Sequence, residues 1–84
     1  MNYIELRNAY LDNIGCGRTR DSIHNYLKDK SFDDMIQMSL VELQCMYSAW
    51  LGINSASHID KMSKVDIALL LRNCVVAESR KKGQ

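Results

Sequence analysis

Proline is missing from all 84 residues, and glycine occurs only four times. A chain so poor in the two residues that interrupt helices is free to be helical throughout. Long apolar runs are missing too. The longest, Ile67 to Leu71, is far below the roughly 20 residues needed to cross a bilayer, so no membrane role is expected. Only two histidines occur, His24 and His58, and the three cysteines, Cys16, Cys45 and Cys74, stand 29 residues apart without a C-x-x-C pair. That spacing excludes a zinc site, and no metal or other cofactor is expected. The opening stretch MNYIELRNAY has neither a basic start nor an apolar segment, so no secretory leader is expected and the cytoplasm is the expected compartment.

A surplus of either charge is lacking as well. Residues 1–37 hold five basic and six acidic side chains, residues 38–84 six and four, for a total of +1. A protein that binds nucleic acid through phosphates usually carries a clear basic excess. What the chain does have is 46% hydrophobic and 25% charged residues with no low-complexity segment, the composition of one small globular domain.

Two nearly identical hexapeptides, MSLVEL from Met38 and MSKVDI from Met62, read as helix starts. In each, a serine (Ser39, Ser63) can cap the backbone N–H three residues on, while the acid there (Glu42, Asp66) reaches back. Met38 with Leu43, and Met62 with Ile67, then staple the entering chain to the first turn. Ser31 with Asp34 is a third box, without a staple. Nothing else aligns between the copies, so they are similar starts and not a structural repeat.

The expected helices cover Asn2 to Ile14, Thr19 to Asp29, Phe32 to Met38, Leu40 to Leu51, and Lys64 to about Glu78. In the first, Tyr3, Leu6 and Tyr10 are spaced to form the apolar face, with Ile4 and Leu11 on an adjoining stripe. Glycines 15 and 17 end it, placing Cys16 in an exposed turn. Gly52 followed by Ile53 is the pattern of a left-handed helix stop. Cys45 and Cys74 are expected to be small buried hydrophobes, Trp50 a core residue and His24 a boundary residue. The last helix is apolar nearly all round, which implies burial on more than one side or contact with another chain.

Catalytic constellations are not apparent. Ser57, His58 and Asp60 are adjacent in sequence, whereas triad members converge from separate elements. Asp33 and Asp34 suit the first turn of a helix, where its dipole favours acids. The chain is therefore expected not to be an enzyme.

Residues 39–73, SLVELQCMYSAWLGI, a loop, then MSKVDIALLLR, resemble helix–extended loop–helix modules of the SAP and LEM-like type. The resemblance rests on the triplet Leu51, Gly52, Ile53 at the end of one helix and on Ser63, Lys64, Asp66 and Ile67 at the start of the next. It implies binding to DNA or to a chromatin or phage partner through basic residues at the helix starts. A helix-turn-helix over residues 2–29 is a second route to DNA, with Thr19, Arg20, Ser22 and Asn25 toward a groove, although Asp21 would repel the backbone.

The expectation is thus an all-α single domain of four to five short helices over residues 1–79. The last helix is central, and residues 80–84 form a basic flexible tail. Its expected function is non-catalytic: binding a protein partner as an adaptor, inhibitor or regulator, a second copy forming a homodimer being one such partner. Leu69, Arg72 and Val76 are the candidate contacts. The alternative is a DNA-binding module, with Arg18, Arg20, Lys61, Lys64 and Arg72 as candidate contacts.

Overall fold

The computed structural model describes residues 2–53 and 59–83. Five helices follow in order: α1 (Tyr3–Asn13), α2 (Arg20–Leu27), α3 (Phe32–Ile36), α4 (Leu40–Leu51) and α5 (Lys64–Lys82). The described residues contain no strand, and the protein is all-α. Helices α4 and α5 pack on each other; α1 lies on α4, α3 on α5, and α2 across both. The central position expected for the last helix is therefore shared with α4. Each helix sends at least one sealed side chain into a common core: Leu11, Leu27, Met35, Leu43 and Leu71. The domain measures 39 × 23 × 20 Å. Helix α5, with 19 residues, spans about 28 Å. None of the helices is long and apolar enough to cross a membrane.

The helix starts follow local chemistry. Ser39 Oγ accepts from Glu42 N–H and Ser63 Oγ from Asp66 N–H, each at 3.1 Å. Met38 and Met62 are half-buried against the core that holds Leu43 and Ile67. The reciprocal half of the box is closed elsewhere. Asp34 Oδ2 accepts from Ser31 N–H at 3.1 Å, and the Ser22 hydroxyl likewise returns to Thr19 N–H at 3.0 Å. Glu42 and Asp66 make no such return bond among the described residues. The echoed hexapeptides are thus serine caps, and the complete boxes begin α2 and α3.

Helix ends account for the largest departure from expectation. After α4, Gly52 adopts φ +71°, its N–H reaching Ala49 O while Ile53 N–H reaches Ser48 O. After α1 the same pattern recurs: Gly15 at φ +80°, Gly15 N–H to Asp12 O, Cys16 N–H to Leu11 O. This stop turns the residue after the glycine back onto the helix's own apolar face. Cys16 is consequently buried, 3% exposed, and not in an exposed turn. A second left-handed glycine, Gly17, is needed at once, because a Cβ there would fall 2.7 Å from Ser22 Oγ.

Two further expectations change. On α1, Leu11 is sealed and Tyr10 packs half-buried against the core, while Leu6 is 54% exposed, so of the expected apolar face Leu6 is left outside. On α5 the helix continues four residues past Glu78, and Arg80, Lys81 and Lys82 form its last turn, not a flexible tail. Basic residues suit that position because they face the negative end of the helix dipole. Lys82 Nζ also reaches Asp21 Oδ1 of α2 at 2.8 Å, and that contact holds the Asp21 carboxyl below its usual range.

Candidate functional site

Polar side chains inside the domain are committed to holding helices together. Arg7 of α1 donates through Nη1 to Ser48 Oγ at 3.1 Å and to the Ile53 carbonyl at 2.9 Å. Arg20 of α2 donates through Nε to the Trp50 carbonyl at 2.9 Å, its guanidinium 5.8 Å from the centre of the Trp50 ring. Two arginines from different helices thus converge on the carbonyl end of α4, where unpaired acceptors and the helix dipole both favour cations. Trp50 itself is buried, as its spacing implied.

His24 is buried and not a boundary residue; its Nε2 lies 2.7 Å from Ser79 Oγ of α5. A serine beside an imidazole suggests a nucleophile and its base, but catalysis also needs a group that orients the other ring nitrogen. Among the described residues His24 Nδ1 has no partner, and the nearby Asp21 carboxylate is bound to Lys82. The pair reads as a tie between α2 and α5. Ser57 and His58 lie outside the described residues.

The thiols carry no activating group. Burial pushes the Cys16 thiol up to about 11. It also raises Cys45, against an opposing pull from Arg7, and Cys74, against Arg20. Cys45 is buried as expected, whereas Cys74 is half-buried at the α4–α5 junction beside Tyr47.

The candidate DNA contacts are dispersed among other duties. Arg18 stands 4.0 Å from Asp12, both exposed. Arg20 is directed inward onto Trp50. In the helix-turn-helix reading, Thr19 and Ser22 are occupied in capping α2. Helices α1 and α2 each pack on α4 instead of forming a hairpin of their own. Lys61 is exposed and Lys64 half-buried near the start of α5, with Arg72 half-buried two turns on.

The outer surface of α5 is different in kind. Eight large hydrophobic residues are exposed among the described residues, and four of them, Val65, Leu69, Leu70 and Val76, lie on this helix. Three more, Leu40, Val41 and Leu51, lie on α4, which packs beside it. Val65, Leu69, Arg72 and Val76 are spaced 4, 3 and 4 residues apart, which places them on one strip of the helix. The opposite side, Ile67, Ala68, Leu71 and Val75, is buried. Total accessible surface is 5141 Å², close to the roughly 5,100 Å² expected of a folded monomer of this mass. Overall exposure is therefore ordinary for a chain of this size. What distinguishes the surface is the gathering of apolar side chains on one helix. The candidate residues Leu69, Arg72 and Val76 all fall on that strip with Val65, while Leu70 is exposed on another side of the helix.

No protein-family model matches the chain, and neither a curated protein nor a solved structure matches it.

Proposed function

We propose that this protein acts without catalysis, as a small helical adaptor, inhibitor or regulator that binds a protein partner on the outward face of α5. The observation that carries the reading is the concentration of exposed Val65, Leu69, Leu70 and Val76 on a single helix whose other side is buried. An apolar strip of this kind, with polar residues at its edges, has the anatomy of an interface core and its rim. A phosphate backbone gains nothing from exposed valine and leucine. Supporting the same reading, Arg20 is held by the Trp50 carbonyl.

The test is a photo-reactive amino acid placed at position 69 and, as a control, at exposed Lys28 just after α2, in the cell of origin. Position 69 should cross-link to protein, position 28 should not, and nuclease treatment should leave the adduct intact. The variant Leu69→Glu, at a site 48% exposed, should remain folded and lose the biological activity. Cross-linking to nucleic acid alone, or equal cross-linking from both positions, would overturn the proposal in favour of DNA binding or of no dedicated surface.

A further inference from the structure

Charge is not spread evenly over this molecule. Residues 64–82 hold five basic side chains (Lys64, Arg72, Arg80, Lys81, Lys82) and two acidic ones (Asp66, Glu78), a net of +3. The whole chain carries +1, so the remainder is at −2. Helix α5 is a cationic element on an otherwise slightly acidic domain.

Its outward face sharpens the contrast. Lys82 is turned to Asp21 of α2, and half-buried Glu78 and Lys64 lie on the side of the helix that meets the core. On α5 itself the charged groups left near the apolar strip are Arg72 within it, Arg80 beyond its C-terminal end and Asp66 near its start, with Lys81 further round the helix. Among the described residues the ion pairs are Arg18–Asp12 and Lys82–Asp21, so Arg72, Arg80 and Lys81 have no carboxylate partner.

We infer that the occupant of the α5 face is an acidic amphipathic helix of a different protein, its apolar stripe on Val65, Leu69 and Val76 and its carboxylates toward Arg72 and Arg80. This rests on the proposed binding function and specifies the partner's chemistry. An apolar strip of 4–3–4 spacing is what a helix laid along a helix requires, with anchors every three or four residues. Charge complementarity then selects among helices. A second copy of this chain matches the strip equally well in apolar character. Pairing two α5 faces, however, brings two cationic surfaces together, and in an antiparallel pair centred on the strip the two Arg72 side chains would stand close to one another. Like charges so placed disfavour the homodimer.

The experiment uses the full chain and two synthetic 20-residue helical peptides. Both carry the same leucine stripe; one is flanked by glutamates, the other by lysines. Binding is followed by fluorescence anisotropy at low and high salt, and the state of the chain alone by sedimentation equilibrium. The glutamate peptide should bind at least about tenfold more tightly than the lysine peptide, with the margin shrinking in high salt. Arg72→Glu should reverse the preference between the peptides. Leu69→Glu should weaken both, while Leu6→Glu, on exposed α1, should change neither. The chain alone should sediment as a monomer. Equal affinity for the two peptides, no binding of the glutamate peptide, or a wild-type dimer dissociated by Leu69→Glu would each overturn the inference. A dimer of that kind, or a protein cross-link from position 69 to a segment that is not acidic, would overturn the inference alone and leave a protein-binding function standing. Displacement of the glutamate peptide by duplex DNA, with Leu69→Glu leaving DNA binding unaltered, would overturn both.

Discussion

Replacing Arg7 with methionine isolates the contact on which the placement of α1 depends. Methionine keeps most of the aliphatic stem and removes the guanidinium. Two charge-assisted hydrogen bonds beyond α1 are lost, to Ser48 Oγ and to the Ile53 carbonyl, along with two to the neighbouring Asn8 Oδ1 on the same helix. Neither acceptor beyond α1 is stranded, because the Ser48 hydroxyl itself donates to the Ile53 carbonyl at 3.3 Å. The cost is therefore that of the bonds and not of a buried orphan. Bonds to a charged donor contribute about 1.5–3 kcal/mol, so Arg7→Met should destabilise by about 2–3 kcal/mol. A domain of this length has a total of roughly 4–13 kcal/mol. The thermal midpoint followed by helical circular dichroism should drop by roughly 10–20 °C. Arg18→Met is the control, since Arg18 meets only Asp12, at 4.0 Å on the surface, where such pairs are worth about 0–1 kcal/mol. If the two variants melt within about 2 °C of each other, Arg7 does not hold α1 on α4 and the account of that interface is wrong.

Alkylation of the native protein with iodoacetamide, read by peptide mass spectrometry, should modify half-buried Cys74 first and Cys16 last. At pH 8 a thiol raised to about 11 is ionised in only about one molecule in a thousand; a Cys16 that reacts fastest would contradict its burial. Ser39→Ala and Ser63→Ala should each cost about 0.5–2 kcal/mol in denaturant unfolding, as loss of an N-cap does. Asp34→Ala should cost more than Glu42→Ala, because only Asp34 returns a bond to its capping serine; the opposite ranking would refute the assignment of complete boxes.

Helix starts were legible because capping is a conversation over three residues. Thr19, Ser31, Ser39 and Ser63 each accept from the N–H three positions ahead, a relation visible in any sequence window. The stop at Gly52 and Ile53 was legible for the same reason. Cys16 carried that very signal, a glycine followed by an apolar residue after a helical run. Reading the second glycine as evidence of an open turn concealed it. The exposure of Leu6 on α1 was not legible by a local rule. Tyr3, Leu6 and Tyr10 satisfy helical periodicity equally, yet Tyr10 packs on the core and Leu6 does not, while Arg7 finds its partners 41 and 46 residues away.

The arginines show why charge alone misleads about function in so small a chain. Arg20 and Arg72 both belonged to the candidate nucleic-acid set, and Arg72 to the candidate protein contacts as well. Packing separates them. Arg20 meets a carbonyl and a tryptophan face and so completes the end of α4. Arg72 stands within the strip of Val65, Leu69 and Val76 with no ion pair to a carboxylate among the described residues. Leaving a long cation among exposed aliphatic side chains gives up the salt bridge or capping role that Lys82, Arg7 and Arg20 all obtain. A partner that brings its own carboxylate to an apolar contact would supply what the fold withholds from Arg72, and it would do so only along the face where the apolar residues are already exposed.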